Sequence, residues 1–241
     1  MRLLHCADLH IGFEGIGEGI RALTLLIEAV ISHQADAMLI AGDLFDKTAP
    51  YPEAVRRAAE ALSVLRAHNI PVLATDGNHD AADGTAEALR ELDRQGLIRL
   101  LRPQWDALGA PVLTDCVVQA GGARIVGLGF LGDETRARLH AAAHALPPFD
   151  GATVCLLHTG VYEEGHVPQG GIVQADVDRC AERIQYLALG HRHGREEHGI
   201  AYNPGSPTGV RFFDPDADYG YYLADFCAGS PKITFFSTRN R

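Results

Sequence analysis

Asn78, His79 and Asp80, in the stretch TDGNHD, place side by side three side chains that can bind a metal ion or move a proton. Further groups of the same kind recur along the chain. Asp8 and His10 form D-x-H in LLHCADLH, Asp43 follows a glycine in AGDLFD, His158 closes TVCLLH, and His191 and His193 form H-x-H in LGHRHG. A lone D-x-H or H-x-H is common, and by itself is more often a hydrogen-bonded loop or a satisfied core histidine than a metal site. What sets these fragments apart is their order, because each one directly follows an apolar run of strand character.

Those runs alternate with helical periodicity. RLLHCA, DAMLIA and IPVLAT read as strands, separated by helices over GIRALTLLIEAVISHQ and over PEAVRRAAEALSVLRAHN, the second opened by Pro52. Strand-helix-strand repeats imply a parallel sheet covered by helices, with ligand sites at the carboxyl ends of its strands. After residue 110 a hairpin is expected about Gly121-Gly122, then a helix over DETRARLHAAAHAL stopped by Pro147-Pro148. TVCLLH, IQYLALGH, GIAYNPGS, GYYLADF and PKITFFS complete the chain as strands, giving an α/β domain with a first, largely parallel sheet and a second from the later strands. In an extended segment residues two apart share a side, so Asp8 with His10, and His191 with His193, can face one site while Leu9 and Arg192 face away. Gly42, Gly77 and Gly190 allow tight turns at these points.

A length of 241 residues suits one domain with a sizeable core. The formal net charge of -10 argues against coating long nucleic acid through a basic surface, though not against a local phosphate site. The start, MRLLHCADLH, is too short and too soon polar for a signal peptide to be expected there, and no apolar run reaches the length of a membrane span. Cys6, Cys116, Cys155, Cys180 and Cys227 form no C-x-x-C pair and read as reduced, mostly buried thiols of a cytoplasmic protein.

The ordered set D-x-H, G-D, G-N-H-D, a lone histidine and G-H-x-H resembles the calcineurin-like metallophosphoesterases. LLHCADLHIG, AGDLFD and YNPGSP are most similar to the nuclease subunit of bacterial SbcCD exonuclease and its archaeal and eukaryotic relatives. The resemblance implies a layered β-sandwich flanked by helices, with residues 1–241 forming one phosphoesterase domain. The capping and ATPase-binding regions of those nucleases are not expected within it. By the same resemblance, Asp8, His10, Asp43 and His193 hold one divalent ion, and Asp43, Asn78, His158 and His191 hold a second, with Asp43 bridging. Carboxylate, amide and imidazole ligands suit manganese, iron or zinc, and the nuclease branch favours manganese. Two carboxylates facing two doubly charged ions leave a positive site that attracts phosphate despite the acidic chain. His79 is expected to be the general acid, with Asp80 holding its other ring nitrogen.

Three functions stay open: a metal-dependent DNA exonuclease or endonuclease, a phosphatase or small-nucleotide phosphodiesterase on the same centre, and a silent protein-binding scaffold. The implied partners are DNA or a nucleotide, an SbcC-like ATPase, and a second copy of the chain paired through helices at 19 to 34 and 52 to 69. No membrane partner is expected. GLGFLG, residues 127 to 132, matches a dinucleotide fingerprint but is read as a decoy, because its strand arrives from a hairpin. His140 and His144 read as a solvated helix face and His5 as a core histidine. NPGSP is expected to shape the phosphate rim, where Arg192, Arg195 and Arg211 either meet further phosphates or face solvent.

Overall fold

RLLHC, AMLIA, VLAT, TVCLLH and YLALG lack polar alternation, so both faces of each strand must be buried. The computed structural model, which describes residues 1–12, 15–81, 86–208, 218–226 and 231–238, shows what covers them. In chain order the first strands are β1 (Arg2–Cys6), β2 (Ala37–Ala41), β3 (Val72–Thr75), β4 (Arg99–Leu100), β5 (Gln104–Trp105), β6 (Pro111–Val112), β7 (Val117–Ala120) and β8 (Ala123–Gly129). After them come β9 (Ala152–His158), β10 (Val161–Tyr162), β11 (Ile172–Val173), β12 (Tyr186–Gly190), β13 (Glu196–His198), β14 (Ala201–Asn203), β15 (Gly220–Asp225) and β16 (Lys232–Ser237). The helices are α1 (Ile16–Ser32), α2 (Pro52–Ala67), α3 (Glu87–Arg94), α4 (Thr135–Ala145) and α5 (Gln174–Cys180).

Two six-stranded sheets, β16-β15-β1-β2-β3-β4 and β13-β14-β12-β9-β8-β7, pack face to face. Alternate residues of each strand then serve different cores. Leu3, Leu39, Val154, Leu156 and Tyr186 fill the space between the sheets. Their neighbours Leu4, Met38 and Ile40 meet α1 and α2, and Cys155, Leu157 and Leu187 meet α4 and α5. The layered sandwich flanked by helices is therefore the architecture expected. One placement differs: β15 and β16 do not extend the second sheet but return to the first, β15 pairing antiparallel with β1 through Leu3 and Ala224.

Helix α1 forms because Ile20, Leu23, Leu26, Ile27 and Val30 recur on one face, and that face is buried on the first sheet. Each such side chain contributes roughly 1.5–3 kcal/mol by burial. Ile16, Leu25 and Ile31 of α1 stay partly exposed, and Tyr51, which caps α2, and Val64 within it are exposed. Cys6, Cys116, Cys155 and Cys180 are buried free thiols, and burial raises the pKa of each; Cys227 and Arg211 lie outside the described residues. Among the described residues no helix is long and apolar enough to cross a membrane.

His5 joins the two sheets. Its Nε2–H donates to the Leu189 carbonyl (3.0 Å) and its Nδ1 accepts from the Tyr186 hydroxyl (2.8 Å), so the neutral ring has both nitrogens used. Complete burial holds its pKa down to about 3, partly opposed by the Leu189 bond. Above pH 6.5 the ring is neutral folded or unfolded; below it only the unfolded chain takes the proton, so stability falls with acidification. Between pH 6.5 and 5 the loss from this site is about 2 kcal/mol. In urea unfolding across that range, His5→Gln is expected to show a shallower pH dependence by up to one proton; parallel curves for the two proteins would contradict the assignment.

Candidate metal centre

The hydrogen-bond ladder between β1 and β2 does not stop where the strands do. Asp8 N–H donates to Gly42 O (3.1 Å), His10 N–H to Asp43 O (3.0 Å) and Ile11 N–H to Leu44 O (2.9 Å). Within this extension Asp8 (φ 55°), His10 (44°) and Asp43 (50°) are left-handed, as is His191 (87°) after β12. Such a conformation costs a non-glycine residue on the order of 1–3 kcal/mol. Asp8 and His10 thus reach one site through left-handed kinks rather than strand alternation, with Leu9 buried against the helices and Arg192 turned outward to Glu196 (2.9 Å). Gly42 and Gly77 are there for space: a Cβ on the first would lie 2.2 Å from His158 Nδ1, and on the second 2.0 Å from Asp43 Oδ1.

The fold brings the expected ligands into one cluster. Asp8, His10 and His193 offer ligand atoms within 4.8 Å of one another, and so do Asp8, Asp43 and His158. Asp43 Oδ2 lies 3.6 Å from His10 Nε2 and 3.2 Å from His158 Nε2, between the two groups. Asn78 Oδ1 faces His158 Nε2 at 3.2 Å and His191 Nδ1 at 2.9 Å.

The hydrogen bonding shows that this cluster fits cations. His158 Nδ1–H donates to the Ala41 carbonyl (2.8 Å), which leaves a lone pair on Nε2 of the neutral ring pointing at oxygens of Asp43 and Asn78. Acceptor meets acceptor there, and only a proton or a metal ion resolves it. His10 is equally telling: both its ring nitrogens are buried without a hydrogen-bond partner among the described residues. Charge repeats the pattern. Burial, reinforced by Asp43, pushes Asp8 up to about 8 against the pull of His158. Burial also acts to lower His158, but the carboxylates of Asp43 and Asp8 override it and lift that ring to about 10. The same burial that would raise Asp43 is outweighed by His158 and His10, which hold it below the usual carboxylate range. His10 and His191 are driven down by burial to about 3 and about 4, so they present neutral, ligating rings.

Asp80 departs from expectation. Its carboxylate does not hold His79 but accepts N–H bonds from Phe45 (2.9 Å), Gly77 (3.1 Å) and Leu44 (3.2 Å). It ties the loop after β3 to the loop after β2, because the turn at Gly77 directs its side chain inward while His79 points to the mouth. The residue that orients His79 is Asp46, whose carbonyl accepts from His79 Nδ1–H (2.8 Å). The Asp46 carboxylate also lies 3.8 Å from that nitrogen and 3.4 Å from His10 Nδ1. Its only sequence signal is its place in AGDLFD, three residues after Asp43. Within NPGSP, Ser206 donates its hydroxyl to Asp8 O (2.8 Å), and Asn203 donates its amide to Arg192 O (2.8 Å). NPGSP thus fixes two ligand loops instead of only shaping a rim.

The weaker signals resolve by packing. β8, α4 and β9 do form a strand-helix-strand unit, since β8 pairs parallel with β9, so the hairpin is no reason to discard GLGFLG. Its glycines are accounted for differently: a Cβ on Gly127 would meet Leu101 at 2.3 Å and one on Gly129 would meet Asp76 at 2.4 Å, so they admit the neighbouring chain. His140 is not on a solvated face, for its Nε2 lies 3.1 Å from Asp176 on α5, whereas His144 is exposed. Arg195 pairs with Glu197 (2.5 Å) and lies over Phe235, and Arg192 lies over Tyr162.

The profile of calcineurin-like phosphoesterases matches residues 1–195, and the chain belongs to that family. It is similar to the DNA double-strand break repair protein Mre11 of Archaeoglobus fulgidus, 29% identical over 80% of this chain and 46% of that one. It is also similar to the D component of the SbcCD nuclease of Rhodobacter capsulatus, 31% identical over 95% of this chain and 67% of the relative. The chain spans about half the length of the archaeal relatives it matches first, 46% and 55%. Among solved structures, TT1561 of Thermus thermophilus superposes with a TM-score of 0.58 at 18% identity, covering 99% of both chains. A dimetal phosphatase from Danio rerio does so at 0.55 and 12%, over 99% of this chain and 96% of its own; both show the fold.

Asp80→Ala leaves buried amides without acceptors, at about 1–3 kcal/mol each. With three such amides, urea unfolding is expected to show a loss of about 3 kcal/mol or more, with weaker metal retention. Wild-type stability with lost turnover would instead return Asp80 to the role of orienting His79.

Proposed function

We propose that this domain hydrolyses phosphodiester bonds of DNA, as an exonuclease or endonuclease, using two divalent ions, manganese by similarity to the nuclease branch. The observation that carries this reading is the convergence of ligand atoms in two groups, Asp8 with His10 and His193 and Asp8 with Asp43 and His158, with Asp43 Oδ2 3.6 Å from His10 Nε2 and 3.2 Å from His158 Nε2. Asp8, His10, Asp43 and His193 would hold the first ion, and Asp43, Asn78, His158 and His191 the second. Two such ions supply electrostatic stabilisation of the phosphoryl group and bring the pKa of water toward about 7.

His79 sits at the mouth with its side chain 37% exposed, where substrate can reach it. Because Nδ1–H is committed to the Asp46 carbonyl, Nε2 is the atom that carries a proton to the leaving oxygen. Asp46 acts through His79 and His10 as a positioning residue, and Asp80 holds together the loops that present Asp43 and Asn78. The scattered, reduced cysteines support a cytoplasmic location, and the name of the Rhodobacter capsulatus relative supports an SbcC-like ATPase as partner. A homodimer would pair through α1 and α2, where Leu25, Tyr51 and Val64 keep apolar surface exposed or partly exposed.

His79→Ala is expected to retain both ions by elemental analysis while DNA cleavage falls by about 10²–10⁴. The loss on bis-p-nitrophenyl phosphate should be smaller, since p-nitrophenolate leaves without a proton. Empty metal sites, or equal losses on both substrates, would contradict the role of His79. For the wild-type protein with manganese, cleavage of p-nitrophenyl phosphate alongside intact end-labelled DNA would replace the nuclease reading with a phosphatase.

A further inference from the structure

A second cavity adjoins the metal centre. It has a volume of about 440 Å3 and lies between the chain leaving β4 and the chain leaving β8, lined by Arg90, Arg99, Arg102 and Arg138 together with Trp105 and Phe130. Asp93 and Asp115 also line it, so among the described lining residues four guanidinium groups face two carboxylates in a chain of net charge -10. Two of the arginines are held in place from outside the lining: Arg102 by Asp76 (3.2 Å) and Arg138 by Glu134, with Arg138 also over the Trp105 ring at 4.8 Å. An ion-paired guanidinium still has donors to offer, because it carries five N–H groups. One oxygen of Asp93 is occupied by the Leu100 N–H (3.2 Å), which reduces its demand on the cavity.

Position gives this cavity its meaning. The Phe130 ring, part of its wall, stands 6.3 Å from each of the His158 and His191 rings, whereas His79 stands beside His10 at 4.7 Å. Asp76, the partner of Arg102, precedes Asn78 by one glycine. A phosphate at the metal centre therefore has an arginine-lined cleft next to it on the side of His158 and His191. Arginine forks match phosphate oxygens, and the exposed parts of Trp105 and Phe130 offer apolar surface to a sugar or base.

We propose that this cleft binds phosphates of a single DNA strand flanking the phosphodiester held at the metal centre. The inference rests on the nuclease reading, and it adds that substrates extending into the cleft are held by arginine contacts that a small phosphoester cannot reach.

Binding of a fluorescein-labelled single-stranded oligodeoxynucleotide, measured by anisotropy in EDTA over a range of salt, tests the cleft without catalysis. The double variant Arg90→Glu/Arg99→Glu is expected to bind at least about tenfold more weakly. Its log-log salt slope should fall by about 0.7 for each phosphate that the cleft no longer neutralises. Arg90→Lys/Arg99→Lys should keep most of the affinity, and Arg21→Glu, the same reversal on α1, should bind like wild type; thermal melting confirms that each variant is folded. Absent binding by wild type, or unchanged affinity and slope in the double reversal, would overturn the cleft. Cleavage of the same oligonucleotide by manganese-loaded wild type is scored separately. Cleavage with an unaffected double reversal would leave the nuclease reading standing and remove the cleft, while cleft-dependent binding without cleavage would do the opposite.

Discussion

Asp43 Oδ2 and His158 Nε2 face each other at 3.2 Å inside the protein, and the ring's only proton in its neutral form is committed to the Ala41 carbonyl. Two acceptors so placed repel unless a positive charge stands between or beside them. Asp8, with no exposed surface, and His10, with no hydrogen bond to either nitrogen among the described residues, enlarge the same problem. Burying ionised carboxylates is costly unless they are paired or coordinate a metal. Much of the surrounding structure can be understood as what holds these groups together in spite of that cost.

Several loops share the task. Beyond the strands, the continued β1–β2 ladder fixes the backbones of Asp8, His10 and Asp43 in left-handed conformations. The His191 N–H donates to both Asp8 oxygens (3.0 and 2.9 Å), and the His79 N–H donates to Asp43 Oδ1 (2.9 Å), so the ligand carboxylates are oriented by amides of other ligand loops. Asp80 and Ser206 lock the same loops from behind. Rigid placement of this kind favours catalysis, because groups already positioned for the transition state need no reorganisation when the reaction occurs.

The order of the polar motifs at strand ends makes the cluster legible in the sequence, because each strand is a continuous apolar run and each motif follows it directly. Less is legible where function depends on which atom meets which. Asp80 reads as a partner for its neighbour His79, yet chain adjacency says nothing about side-chain direction at a turn, and its oxygens go to backbone amides. Asp46 lies in plain view within AGDLFD but becomes meaningful only with His79 and His10 both beside it. Helices α3 and α5 escape pattern reading because they are short and bury few side chains, Leu89 and Leu92 in one and Asp176, Val177 and Cys180 in the other. The return of β15 and β16 to the first sheet is a long-range pairing, which local periodicity does not encode.

Asp43 Oδ2 stands between His10 Nε2 and His158 Nε2, and manganese binding tests the bridging role proposed for it. Electron paramagnetic resonance of the manganese-loaded protein, with metal content measured on the same sample, should show two ions per chain with an exchange-coupled signal. In Asp43→Ala that coupling should disappear, with loss of at least one ion. A single ion per chain in the wild type, or coupling that survives removal of Asp43, would contradict a dimetal centre built around that carboxylate.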